Sequence, residues 1–273
     1  VLDEAQNIKN ADAKSAHVAR RLTAHQRIAL SGTPVENHLG ELWSLLAYVD
    51  AGILGDRRAF TRNFRTPIER HGDAQRRAAL SARIAPFVLR RTKADVAREL
   101  PEKTEIVRTV ELGAAQRDLY ETIRAAMHER VRSAIAERGL ARSSIVVLDA
   151  LLKLRQACCD PRLVKAANRS IGPGVKLLAL IDMLEELLED GRRVLLFSQF
   201  TSMLALIEEE LHRHAIPYVT LTGKTKDRAT PVQRFQDAEV PLFLISLRAG
   251  GTGLNLTAAD TVIHYDPWWN PAV

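Results

Sequence analysis

Apolar positions along the chain follow two alternating rhythms. In the first fifty residues, short apolar runs alternate with helical spacing. Val1-Leu2 reads as the end of a strand, residues 15–22 as a short helix, and Arg27-Ile28-Ala29-Leu30 as a second strand ending in the turn Ser31-Gly32-Thr33-Pro34. Asn37 is placed to cap a helix whose apolar face is Leu39, Leu42, Trp43, Leu46 and Val49. This βαβα order predicts a parallel sheet flanked by helices.

From 57 to 99 the strand signals vanish and short helical patterns take over, which predicts an inserted helical subdomain closed by Leu100-Pro101. Residues 104–110 read as one more strand and 114–157 as a second helical stretch. Gly172-Pro173-Gly174 marks a loop. The βαβ order then returns. Residues 177–188 and 201–214 are amphipathic, and Val194-Leu195-Leu196-Phe197 is continuously apolar, as in a strand buried on both faces. Residues 218–221, 242–245 and 262–265 are further strands. The expectation is an α/β protein of two incomplete units, 1–112 with a helical insertion over about 40–100, and 113–273 with one over about 113–170.

Composition adds a compartment and a charge. Hydrophobic residues make up 46% of the 273, enough for ordinary cores. No apolar run approaches the roughly 20 residues of a membrane span. The start Val1-Leu2-Asp3-Glu4 has no basic or apolar leader and no initiator Met, so it reads as unsecreted and as a piece of a longer chain. Cys158 and Cys159 are adjacent, without metal-ligand spacing, and read as reduced thiols. Arg outnumbers Lys 30 to 9, in keeping with a GC-rich bacterial genome and a place in the cytoplasm at the nucleoid; a eukaryotic source would mean the nucleus. The net charge is +6, and residues 56–108 hold 14 basic against 7 acidic side chains. Such a surplus suits a nucleic-acid backbone, and equally a solvated helical surface.

Candidate chemistry collects at the predicted carboxyl ends of strands, where open α/β sheets bind ligands. Asp3-Glu4 follows the first strand. One carboxylate there suits a metal held through water, and the other can polarise an attacking water. Ser31-Gly32-Thr33-Pro34 lies 28 residues on, with two hydroxyls in a tight turn. Ser246-Leu247-Arg248-Ala249-Gly250-Gly251-Thr252-Gly253-Leu254-Asn255 follows a buried strand, and its glycines allow close backbone approach to a ligand. Asp266-Pro267-Trp268-Trp269-Asn270-Pro271 sets two tryptophans side by side, of which only one can face a core. Thr222-Gly223-Lys224-Thr225 imitates a phosphate-binding loop. However, the required glycine is replaced by Tyr218, and Pro231 sits poorly for the following helix, so it reads as a strand-end loop.

Together these segments resemble the Swi/Snf family of helicase-like, superfamily-two ATPases. Asp3-Glu4-Ala5-Gln6 resembles motif II, Leu30 through Asn37 motif III, and Arg90-Arg91-Thr92-Lys93 with Glu99-Leu100-Pro101 the stretch after the first helical protrusion. Phe197-Ser198-Gln199-Phe200 resembles motif IV, Gly223 with Arg228 the next motif, residues 246–256 motif V, and 266–271 the segment after it. The resemblance spans the chain in order.

It implies two RecA-like lobes, with ATP and double-stranded DNA bound in or across their cleft, and ATP-driven translocation along the duplex. Asp3 would hold Mg2+ through water and Glu4 would be the general base. Gln6, Ser31 and Thr33 would couple the lobes. Gly251, Thr252, Gly253 and Asn255 would line the nucleotide site. Arg90, Arg91, Lys93, Arg228, Arg248, Trp268 and Trp269 would meet nucleic acid. Other proteins are admissible partners and a membrane is not. Three departures stand out: no phosphate-binding loop with its Lys and no arginine-bearing motif VI lies within the 273 residues, and Arg248 replaces the family's Lys. The expectation is a motor whose 273 residues are inactive alone. The alternatives are a non-catalytic DNA- or protein-binding remnant and a strand-separating helicase.

Overall fold

The two rhythms fold differently. The computed structural model describes residues 1–96, 103–164, 172–250 and 254–268, and its chain divides into one unit over 1–104 and a second over 105–268.

In the first unit the two predicted strands reduce to a single parallel bridge between Leu2 and Ala29. Leu2 N–H donates to Ile28 O, and Leu30 N–H to Leu2 O, both at 2.8 Å. Ile28 and Leu30 stay about half exposed, so no apolar layer extends the pairing. After a 3-10 turn at Ala5–Ile8, helix α1 (Lys14–Arg21) and helix α2 (Leu39–Val49) close a small core of Ala5, Ile8, Ala16, Ala19, Leu45 and Tyr48. The opposite side of α2 buries Leu46 against Ile53, Leu54, Phe60 and Leu80. This second core belongs to the helical insertion. Helix α3 (Arg57–Phe60) runs through a π-helical turn, Thr61–Arg65, into α4 (Thr66–His71). Helices α5 (Ala74–Ile84) and α6 (Lys93–Val96) follow. Asp56 caps α3 by accepting the Arg58 and Ala59 amides at 2.9 Å, and Asp73 caps α5 through Arg76 N–H.

Two expectations fail here. Asn37 does not cap α2: the helix begins at Leu39, its N-cap residue His38 makes no side-chain cap bond, and the Leu39 amide goes instead to Glu69 Oε1 at 2.6 Å. Residues 104–110 form no strand. They are rich in β-branched residues but pair with no neighbour among the described residues, and Ile106 and Val107 are three-quarters or more exposed.

The second unit opens with two helices, α7 (Ala114–Arg138) and α8 (Ser144–Cys159), where one continuous stretch was expected. The break falls at Gly139, whose φ of 74° ends α7, and the Ser143 hydroxyl satisfies the Ala134 and Gly139 carbonyls at 2.8 Å. Helix α9 (Val175–Glu189) is tied to both by buried Gln116, which donates to Ala157 O at 2.7 Å and accepts Val175 N–H at 3.3 Å.

The sheet comprises β1 (Val194–Ser198), β2 (Tyr218–Leu221), β3 (Leu242–Ser246) and β4 (Thr261–His264), all parallel in the order β2-β3-β1-β4. The interleaved helices are α10 (Thr201–Arg213), α11 (Ala229–Gln236) and the short α12 (Leu247–Gly250). Side chains alternate across the pleat. Val194, Leu196, Leu242 and Leu244 pack on α9 and α10, while Leu195, Phe243 and Ile245 pack on Phe235 of α11. Burial on both faces explains the uninterrupted apolar runs. Pro231 falls in the first turn of α11, where a missing N–H costs little, so a helix does follow the Thr222–Thr225 turn. Among the described residues, no helix is long and apolar enough to cross a membrane.

Candidate functional site

In the first unit, the parallel bridge sets the next residues of both segments at one carboxyl edge. Asp3 follows Leu2, and Ser31 stands two residues after Ala29. The chain turns at once, with Glu4 in the left-handed region (φ 49°) and its N–H donating to Asp3 Oδ1 at 2.8 Å. A positive φ at a non-glycine residue is a strained conformation that tertiary contacts must hold. Here the Ala5 amide is pinned to Leu30 O at 2.8 Å, and Ala5 itself is fully buried.

Hydrogen bonds then link the two motifs. Gln6 Nε2 donates to Glu4 Oε2, and Ser31 Oγ donates to Gln6 Oε1 at 2.8 Å. Ser31 Oγ also accepts Thr33 N–H at 3.2 Å, and Thr33 Oγ1 donates to Glu36 Oε1 at 3.3 Å. Lys9 closes the circuit through an ion pair with Glu36. The structure therefore brings Asp3, Glu4, Gln6, Ser31 and Thr33 together. It adds Glu41, which the sequence reading missed. This buried carboxylate accepts the amides of Glu36 at 2.7 Å and Asn37 at 2.9 Å, and Asn37 Nδ2 at 3.1 Å. Burial pushes its carboxyl up, but those three bonds and the charge of Lys9 outweigh it and leave it below the usual range. The missed signal was its place as third residue of α2, where a Glu reaches back to the preceding amides.

The donor set suits a hard cation. Asp3 and Glu4 are exposed carboxylates, and one Asp3 oxygen remains beyond the Glu4 amide bond. Among the described residues no group of three metal-ligating side chains occurs. A magnesium ion, which keeps most of its waters and takes one or two carboxylates plus substrate phosphates, fits this sparse set.

In the second unit, paired Ser198 and Ser246 end β1 and β3 at the carboxyl edge, both buried. Gly250 then packs so tightly that a Cβ would lie 2.7 Å from Phe197 Cε1. Gly251, Thr252, Gly253 and Trp269 lie outside the described residues, as do Glu99, Leu100 and Pro101. Asn255 and Arg248 are exposed. Arg228, expected at nucleic acid, donates to Ala249 O at 2.6 Å and so ties the loop after β2 to the backbone of α12. Trp268 is 39% exposed under the Arg155 guanidinium, 5.8 Å from its ring, and Arg155 also donates to Pro267 O at 2.8 Å. Arg90 and Arg91 are exposed beyond α5, and Lys93 begins α6. Cys158 and Cys159 are free, and burial pushes the Cys159 thiol up to about 12, which makes it unreactive.

A buried carboxylate of this unit, Asp266, lies just past β4 and accepts Gln199 N–H at 3.2 Å. Burial raises its carboxyl above the usual range, against the pull of Ser198, Gln199 and Lys176.

With Glu4 linked through Gln6 to the Ser31 turn in the first unit and a parallel sheet in the second, the chain can be compared with known proteins. The SNF2-related domain family matches residues 1–163, and the helicase conserved C-terminal domain family matches residues 176–273. The chain belongs to the SNF2-related family. It is 39% identical over 280 residues to the putative ATP-dependent helicase/translocase YwqA of Bacillus subtilis, covering all of this chain and 30% of that protein. It is 32% identical over 286 residues to the ISWI chromatin-remodeling complex ATPase ISW1 of Saccharomyces cerevisiae, covering 99% of this chain and 25% of that one. The SWI2/SNF2 ATPase core of Sulfolobus solfataricus in complex with dsDNA superposes with a TM-score of 0.54 at 35% identity, over 98% of this chain and 57% of that one. The chain thus spans less than a third of the length of these two curated relatives. The SNF2 assignment makes the two units parts of RecA-like lobes, the first with its single parallel bridge and the second with its four-stranded parallel sheet, each accompanied by helices.

Proposed function

We propose that this chain forms part of an ATP-driven motor that moves along double-stranded DNA. The observation that carries the reading is the hydrogen-bonded path from Glu4 through Gln6 to Ser31. It connects a water-polarising carboxylate to a turn on the neighbouring segment, which suits coupling between hydrolysis and movement. Asp3 would hold Mg2+ through water, and bound there the ion would neutralise charge on the nucleotide's phosphates. Glu4 is the general base: its exposed carboxylate orients a water and accepts its proton, and the strained turn with the Gln6 amide fixes the carboxylate's direction. Gln6 and Ser31 act as positioning residues, and Thr33 joins them to Glu36. Gly251, Thr252, Gly253 and Asn255 would line the nucleotide from the second lobe.

Nucleic-acid contacts fall to Arg90, Arg91, Lys93, Arg248, Trp268 and Trp269. Arg228 is proposed with them, while one of its N–H groups braces α12 through Ala249 O. The duplex is favoured as substrate by likeness to a SWI2/SNF2 core described with dsDNA. These 273 residues by themselves should turn over no ATP. Phosphoryl transfer needs a cradle of amides, a Lys and an arginine as well as carboxylates, and an arginine finger alone is worth about a thousandfold or more in rate. The test is steady-state ATP hydrolysis with and without duplex, by the 273 residues and by the intact gene product that contains them. Duplex-stimulated turnover by the gene product alone is expected. Robust turnover by the 273 residues would place the active site elsewhere.

A further inference from the structure

The helix through α3, the π turn and α4 carries a basic concavity that the Asp3–Ser31 network does not use. Arg57, Arg58, Thr61, Arg62 and Thr66 line an open hollow of about 640 Å³, and no carboxylate is among them. On an uninterrupted α-helix, positions 57, 58, 61, 62 and 65 would share this face. The π turn takes up an additional residue, so Thr66 arrives on the face and Arg65 leaves it to pair with Glu69 at 3.0 Å. The other side of the helix is fixed by Phe60, Phe64 and Ile68 in the apolar core. Single π turns inside α-helices recur at functional sites.

The three guanidiniums differ in commitment. Arg57 pairs with Asp12 at 2.5 Å, but both side chains are about half exposed or more, so a stronger anion can displace the carboxylate. Arg58 and Arg62 form no ion pair among the described residues. The adjacent acid, Asp56, spends its Oδ1 on the Arg58 and Ala59 amides. Thr61 donates its hydroxyl to Arg57 O at 2.8 Å, so the cations, not the hydroxyls, carry the chemistry of the face. Arg58 and Arg62 stand about one helical turn apart, about 6 Å along the axis. They therefore offer two phosphate-sized positions on an open surface, which suits a polymer better than one enclosed anion. Guanidinium forks match phosphate oxygens.

We propose that this face binds the phosphodiester backbone of nucleic acid, sequence-independently and apart from the motor's ATP-coupled contacts. The inference rests on the duplex-translocase reading above. The test is fluorescence anisotropy of a labelled short duplex titrated with the chain at several salt concentrations. The wild type is compared with Arg58→Gln/Arg62→Gln and with Arg76→Gln/Arg77→Gln, an equal charge change on the exposed face of α5. All substituted positions are exposed and Gln is a good helix former, so melting curves should coincide. The first double variant should bind more weakly at low salt, with a log–log salt slope shallower by about 1.8 for two lost phosphate contacts. Between about 50 and 200 mM salt its deficit should therefore shrink about twelvefold. The second double variant should stay within about twofold of wild type. If the two doubles behave alike, or the first keeps the wild-type slope, this site is refuted while the duplex reading stands. If the wild type binds no duplex even at low salt, both fall.

Discussion

Ser31 Oγ donates to Gln6 Oε1 at 2.8 Å, bridging 25 residues of sequence to join the turn after one parallel segment to the turn after the other. Gln6 in turn donates to Glu4, so a displacement of the Ser31 turn reaches the candidate general base through two bonds.

Ser31→Ala should therefore uncouple more than it destabilises. The bond is half-buried, and its loss should cost no more than about 1.5 kcal/mol of stability. Nucleotide affinity should hold, while the ratio of duplex-stimulated to basal hydrolysis falls in the intact gene product. Paired measurements of melting temperature and of that ratio check it. An unchanged ratio would mean that the link transmits nothing.

Glu41→Ala should act on the fold. Removing the buried carboxylate leaves the Glu36 and Asn37 amides without their acceptor, at a cost of about 1–3 kcal/mol in urea unfolding at pH 7. The sign of its pH dependence follows from the lowered carboxyl. Its contribution is full above the unfolded Glu value of about 4.3 and is lost as pH falls through the lower folded value. The gap between wild type and Glu41→Ala should accordingly narrow from pH 7 to pH 3.

Gly250→Ala should destabilise the second unit by about 1–3 kcal/mol, because the added methyl would meet the Phe197 ring at 2.7 Å and Ile245 Cγ2 at 3.3 Å. The ring cannot step aside freely, since it stacks on His264 with centroids 5.6 Å apart. Thermal unfolding of the variant measures the cost.

Particular residues show what the sequence could and could not reveal. Val194 to Phe197 and Leu242 to Ile245 were legible as strands because burial on both faces leaves no polar interruption. Asp3 and Ser31 were legible as site candidates because each follows a strand signal. Residues 104–110 misled, since their β-branched residues, Thr104, Ile106, Val107, Thr109 and Val110, report a strand's own preference and say nothing of a neighbour to pair with. Arg228 entered through its resemblance to a family motif, and its bond to Ala249 O involves a backbone carbonyl 21 residues away that no pattern announces. Asn37 was read as a cap by residue type alone, whereas Glu41 serves those amides from inside the helix.

The central claim is that Glu4 polarises the attacking water in duplex-dependent ATP hydrolysis, and Glu4→Gln in the intact gene product tests it most directly. The substitution keeps the shape and removes the base. Duplex-stimulated steady-state hydrolysis should fall by at least about a hundredfold, while ATP binding measured by a fluorescent analogue stays within a few-fold of wild type. Wild-type turnover by the Gln variant would contradict the account.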